Sequence, residues 1–135
     1  MTVAGKSQAI ASLETVRRIC EHWPEMSRDE FRALLAPDCR YENVPMPHLT
    51  CTGPDQAYDF LMPFMSKWEA VDFTLPLIRG DETAVLVERV ERFRKKSGDA
   101  PDVVLRSMGA FELKDGMVTH WRDYFDPRES AALAG

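Results

Sequence analysis

Three charged residues, Arg89, Glu91 and Asp123, fall where a β-strand should present apolar side chains. In an extended strand, residues two apart share a face. Along the Val- and Phe-rich stretch from Thr83 to Lys95 the odd positions carry Val85, Val87, Arg89, Glu91 and Phe93, so an arginine and a carboxylate interrupt the apolar face. Along Met117 to Phe125 the odd positions are Met117, Thr119, Trp121, Asp123 and Phe125, which sets Asp123 between two aromatics. Tyr41 and Asn43 share a face of an earlier strand. If these strands are neighbours, the five groups converge. One reading is structural: Arg89 forms a salt bridge with one carboxylate, and Tyr41 and Asn43 are hydrogen-bonded residues near a sheet edge. The other is chemical. Burying charge is costly enough that apolar residues would often serve stability as well. Two carboxyls of unlike protonation beside one arginine, one base and one acid, could open a ring or move a proton.

The elements that must position these groups follow from periodicity. From Ser7 to Trp23, Ile10, Leu13, Val16, Ile19, Cys20 and Trp23 recur at spacings of three and four, and Pro24 closes the helix. Ser27 to Glu30 has the form of a capping box and opens a short second helix with Phe31, Leu34 and Leu35 on one side, ending near Pro37. A strand over Cys39 to Val44 runs into Pro45-Met46-Pro47, which cannot continue a ladder. Pro54 suits the first turn of a third helix, with Tyr58, Leu61, Phe64, Met65 and Trp68 on its buried face and a bend at Pro63. Strands then follow over Val71 to Ile78, Thr83 to Lys95, Asp102 to Leu113 and Met117 to Phe125, the last two joined by a Lys114-Asp115-Gly116 hairpin signal. A final helical turn or two spans Pro127 to Leu133. Helices first and strands later predict an α+β domain, a largely antiparallel sheet covered on one face by helices.

Composition narrows the function further. The 135 residues suit one domain, 1–135, and 44% AVILMFWYC with 10% aromatics supply its core. Seventeen Lys+Arg against 22 Asp+Glu give a net charge of −5, which argues against nucleic acid or an anionic membrane as partner. The one basic run, Arg92 to Lys96, reads as a solvated strand end. Cys20, Cys39 and Cys51, an odd number without C-x-x-C spacing, suggest reduced thiols in a cytoplasmic protein. His22, His48 and His120 are too dispersed for a metal site, there is no Walker loop or dinucleotide fingerprint, and no window approaches a membrane span. No metal or cofactor is expected.

The segments YENVPMP (Tyr41 to Pro47), VERVERF (Val87 to Phe93) and HWRDYFD (His120 to Asp126), with Gly109 to Gly116 before the last, resemble the limonene-1,2-epoxide hydrolases, a branch of the nuclear transport factor 2-like (SnoaL-like) superfamily. The likeness extends from helix one to about Arg128. It implies a cone-shaped α+β fold in which three to four helices wrap a strongly curved, mixed but mostly antiparallel sheet around an internal pocket, and a homodimer. It also implies hydrolysis of a small apolar epoxide to a vicinal diol by direct water attack, without cofactor. Asp123 would be the base, Tyr41 and Asn43 would hold the water, Glu91 would be the acid, and Arg89 would lie between the carboxyls. Glu91 departs from the family pattern, which has aspartate there, and leaves open an isomerase or cyclase on the same fold or a non-catalytic small-ligand-binding domain. Parity and resemblance together nominate Phe93, Leu105 and Phe125 on strands, and Cys20, Trp23, Phe64 and Trp68 on covering helices, as pocket lining. Ser107 shares the Leu105 parity and could add a weak polar contact.

Overall fold

The computed structural model describes residues 3–134. Helix α1 (Val3–His22) ends where Pro24 enters a short 3-10 turn, Trp23–Glu25. Its inner stripe is Ala9, Ser12, Val16, Ile19 and Cys20, while Ile10 faces solvent. Helix α2 (Arg28–Leu34) starts as the capping signal predicts: the Ser27 hydroxyl accepts from the Glu30 N–H at 3.1 Å. The Glu30 carboxylate pairs with Arg18 instead of reaching back to close the box.

Strand β1 (Leu35–Asn43) begins four residues earlier than predicted, taking over Leu35 from the expected helix. Pro37 lies in it where the pairing register is interrupted, between Leu35 and Arg40, so its missing N–H breaks no continuous ladder. After β2 (Cys51–Thr52), helix α3 (Gly53–Leu61) is shorter than its periodicity implies. Pro63 has no N–H to donate, and the chain tightens into a 3-10 segment, Met62–Ser66, rather than bending as one helix. Trp68 therefore opens strand β3 (Trp68–Gly80) instead of lying on a helix.

Strands β4 (Ala84–Lys95), β5 (Val103–Lys114) and β6 (Met117–Phe125) follow, then helix α4 (Pro127–Ala131) and a 3-10 turn, Ala132–Ala134. Asp115 and Gly116 form the β5–β6 turn with φ of 52° and 80°, the left-handed pair that a two-residue Asp-Gly hairpin requires. The six strands make one curved sheet in the order β2-β1-β6-β5-β4-β3. Every pairing is antiparallel except β1 with β6. Helix α1 packs on β3 and β4, α2 and α3 on β1, and α4 on β5. The fold is α+β, with helices wrapping a mixed but mostly antiparallel sheet, as the sequence leads one to expect. In β4 the inward residues are Val85, Val87, Arg89, Glu91 and Phe93, as parity predicts. In β6 the parity breaks: a register shift at Glu112/Leu113 turns Val118 inward, and Trp121 and Asp123 resume the odd-numbered face.

Candidate active site

Strand register places the polar residues in adjacent rows. Asn43 lies beside Asp123 and Tyr41 beside Trp121 across the parallel β1–β6 pair. Asp123 faces Gly109 on β5, and Gly109 faces Val87 on β4. Arg89, one inward position further along β4, faces Ser107. Arg89 and Asp123 thus sit on strands separated by β5. They meet because Gly109 has no side chain: a Cβ there would lie 3.0 Å from the Phe111 ring, 3.1 Å from Val87 and 3.3 Å from Asp123 Oδ1.

The guanidinium of Arg89 donates to both oxygens of Asp123, Nη1 to Oδ1 at 2.8 Å and Nη2 to Oδ2 at 3.2 Å. The indole N–H of Trp121 also donates to Oδ1, at 2.7 Å. Trp121 is held in that orientation by Tyr41 stacked on it at 4.1 Å between ring centroids and by Phe111 at 5.2 Å. Oδ1 therefore accepts two short bonds and Oδ2 one longer bond, so Oδ2 is the oxygen freer to accept a further proton. The Tyr41 hydroxyl donates to Asn43 Oδ1 at 3.4 Å, and the Asn43 amide donates to the Leu49 carbonyl at 3.4 Å. Burial first, and the Asp123 charge second, push the Tyr41 phenol well above its ordinary range. It is an O–H donor at any physiological pH.

Glu91 is 2% exposed and sits at the other side of Arg89. Its Oε2 accepts from the Trp23 indole N–H at 2.8 Å, and its Oε1 from Arg89 Nη2 at only 3.4 Å. Burial raises its pKa above the ordinary carboxyl value; Arg89 and the Trp23 bond offset part of that rise, and Asp123 adds to it. Arg89 would be lowered by burial, but Asp123 and Glu91 more than offset that and hold it well above its usual range. With Glu91 protonated, Arg89 and Asp123 form a neutral pair, and one side of the site can give a proton while the other takes one.

A cavity of about 240 Å³ opens over these groups. Tyr41, Asn43, Arg89, Glu91 and Asp123 all line it, and so do Trp23, Phe64, Phe93, Leu105 and Phe125 of the expected pocket. Cys20 and Trp68 do not line it. Cys20 is buried behind the site, and burial pushes its thiol up to about 12, which makes it apolar filling rather than a nucleophile. Trp68 anchors the wall from outside, its indole N–H donating to the Leu133 carbonyl at 3.1 Å. That wall is the C-terminal segment, where Pro127, Ser130, Ala131, Leu133 and Ala134 reach the cavity; Met46, Leu49, Phe60 and Leu61 complete the lining. Sequence reasoning missed the two indole donors, though Trp121 shares the parity of Asp123 and was open to that reading. The final helical turns expected from Pro127 to Leu133 are present as α4 and its 3-10 turn, but a five-residue helix has no periodicity to show which of its residues wall a cavity. Among the described residues no group of three or more His, Cys, Asp or Glu side chains is placed to hold a metal ion, and no helix is long and apolar enough to cross a membrane.

A curved mixed sheet, wrapped by helices and carrying a buried arginine between two carboxyls over an internal cavity, defines a nuclear transport factor 2-like α+β protein. The chain belongs to the limonene-1,2-epoxide hydrolase catalytic domain family, whose model matches residues 9–130. Among solved structures it is similar to an LEH-like epoxide hydrolase of M. tuberculosis, with 25% identity, 93% of this chain and 90% of that chain covered, and a TM-score of 0.74. A protein with a ketosteroid isomerase-like fold from Catenulispora acidiphila DSM 44928, solved with trimethylamine, shares 20% identity over 90% of this chain and 92% of its own, with a TM-score of 0.74. A provisionally assigned SnoaL-like polyketide cyclase from Jannaschia sp. CCS1 shares 20% over 93% and 92%, with a TM-score of 0.72. The last two likenesses establish the fold alone. No curated protein matches the chain in sequence.

Proposed function

We propose that the protein hydrolyses a small, largely apolar epoxide to a vicinal diol by direct attack of water. The observation that carries this reading is the pair of unequal carboxyls around Arg89: Asp123, with three N–H donors and a freer Oδ2, and Glu91, whose pKa burial raises. Water lying among Asp123 Oδ2, Asn43 and the Tyr41 hydroxyl attacks one oxirane carbon and passes a proton to Asp123. The carbon–oxygen bond of the ring breaks, and its oxygen takes the proton of Glu91. The Trp23 N–H stays on Oε2, which leaves Oε1 to carry that proton toward the cavity. Transfer of the proton from Asp123 back to Glu91 resets the site, so the sum is addition of one water. General acid and base steps of this kind are worth about 10²–10⁴-fold each.

The departure at Glu91 is accommodated by Trp23, whose indole fixes the longer side chain, and this favours a working acid over a vestigial one. Homodimer formation belongs to the same reading. Leu86, Val104, Met108 and Tyr124, exposed on the outward face of β4, β5 and β6, offer apolar surface for it. Purified protein incubated with a panel of compact cyclic epoxides should form diol, and Asp123→Asn should lower kcat by about 10²–10⁴ while leaving the fold intact. Absence of diol above the Asp123→Asn control for every substrate overturns the proposal. Proton exchange α to a ketone without epoxide turnover would assign isomerase chemistry instead.

A further inference from the structure

Ser107 sits at the middle of β5 on the inward face, 5% exposed, with Arg89 opposite it on β4 and Phe125 opposite it on β6. It lines the cavity. Its hydroxyl has no hydrogen-bond partner among the described residues. Of the other polar side chains that line the cavity, only Arg89, its neighbour on β4, keeps a buried atom without a partner among the described residues, its Nε, which can donate but not accept; the rest are engaged. Trp23 and Arg89 donate to Glu91, Trp121 and Arg89 to Asp123, and Tyr41 to Asn43. The Ser130 hydroxyl donates to the Pro127 carbonyl at 3.1 Å.

A buried hydroxyl left unpaired is disfavoured against an alanine or valine that would fill the same floor, and native orphans of this kind commonly have a partner that is not part of the chain. The backbone of Ser107 is paired with strands on both sides, so the hydroxyl gains little by turning back on it. Position defines what the partner can be. Ser107 lies between the Glu91–Leu105 row and the Gly109–Asp123 row, under the centre of the acid–base site. Cross-strand neighbours are ~5 Å apart at Cβ. A ligand oxygen that reaches Ser107 while the oxirane lies between the carboxyls must be carried on a carbon next to, or one removed from, the three-membered ring. Phe93, Leu105 and Phe125 surround the remainder with apolar surface.

We infer that Ser107 is a specificity-determining residue and that the preferred substrate is an oxygenated epoxide, an epoxy alcohol or α,β-epoxy ketone on a compact hydrocarbon skeleton, rather than a plain hydrocarbon epoxide. This rests on the hydrolase reading above. The Ser107 hydroxyl donates to the substrate's carbonyl or hydroxyl oxygen and leaves the acid and base free for the ring.

The test compares cyclohexene oxide with the epoxy alcohol bearing a hydroxyl on the neighbouring ring carbon, in both diastereomers, using the wild type and Ser107→Ala. For one diastereomer the wild type should show a kcat/KM about tenfold above that for the hydrocarbon, equivalent to ~1.4 kcal/mol, and Ser107→Ala should abolish that ratio. No preference in the wild type, or an unchanged ratio in Ser107→Ala, overturns the inference while leaving epoxide hydrolysis standing. A second readout needs no turnover: camphor and camphane, which differ by one carbonyl, are titrated against both proteins. If no diol forms from any epoxide but the wild type binds camphor about tenfold tighter than Ser107→Ala does, with no such difference for camphane, the Ser107 contact stands and the hydrolase reading falls. Unligated Ser107→Ala should melt no lower than the wild type; a clear fall would give the hydroxyl a structural role and overturn the inference.

Discussion

In the proposed mechanism Glu91 is the residue on which catalysis turns, and its added methylene is matched by a partner. The 2.8 Å bond from Trp23 holds Oε2 at the reach of a glutamate, so shortening the side chain moves the carboxyl away from both the indole and the ring oxygen it must protonate. Glu91→Asp should therefore lower kcat by up to about a hundredfold, the scale of a ~1 Å misplacement. Steady-state kinetics on any turned-over epoxide checks this, and a gain in kcat would show that the pocket is not built around glutamate. Arg89, Glu91 and Asp123 were legible in the sequence because strand parity exposes a charge on an apolar face. Trp23 was legible only as bulk, and Trp121 as bulk on the face of Asp123. An indole in an apolar pattern shows its ring, and the partner of its N–H depends on contacts such as Trp23 with Glu91, 68 residues apart.

The element that sets the cavity's outer limit is the C-terminal segment, α4 with its following 3-10 turn. It is short, and the Trp68 indole on the Leu133 carbonyl ties it to the start of β3, while Glu129 accepts from the Arg106 N–H on β5 at 3.3 Å. Trp68→Phe removes the first tie and keeps most of the ring. KM should rise by roughly two- to tenfold, the equivalent of a hydrogen bond worth ~0.5–1.5 kcal/mol, with a smaller change in kcat. A fall in kcat at constant KM would instead place Trp68 in the positioning of the acid–base site. At this scale the sequence misleads where two signals compete. Tyr58, Leu61, Phe64, Met65 and Trp68 keep helical spacing, but Pro63 ends the α-helical hydrogen bonding at Leu61 and the chain enters a strand by Trp68. Likewise the start of β6 departs from its parity because a register shift spans Glu112 and Leu113, which no spacing in β6 itself announces.

Over the whole molecule, the helices-then-strands order already defines an α+β protein, but it does not reveal that β1 and β6 pair in parallel. That pairing joins segments about 80 residues apart, and it alone brings Tyr41 and Asn43 alongside Trp121 and Asp123. Long-range packing also buries Glu91, with Trp23, just past the end of α1, bonded to it on β4, and so couples its proton to global stability. Because its folded pKa is raised above the ordinary 4.5, the fold prefers the protonated carboxyl. Its contribution is fully present below that value and is lost as pH rises through the folded pKa. The melting temperature of Glu91→Gln, which cannot ionise, should accordingly gain on that of the wild type as pH is raised from 4.5 through the folded value. A difference independent of pH, or one that grows in favour of the wild type, would contradict the assignment of Glu91 as the proton-holding member of the site.

The central claim, water added directly to an epoxide with Asp123 as base, is tested most directly by a single turnover in ¹⁸O-labelled water with protein in excess over substrate. Direct attack predicts that the first diol formed carries one solvent oxygen in every molecule and that Asp123→Asn forms it far more slowly. A first-turnover diol without the label would mean that an enzyme carboxylate supplied the oxygen, and equal rates in Asp123→Asn would mean that Asp123 is not the base; either result contradicts the mechanism.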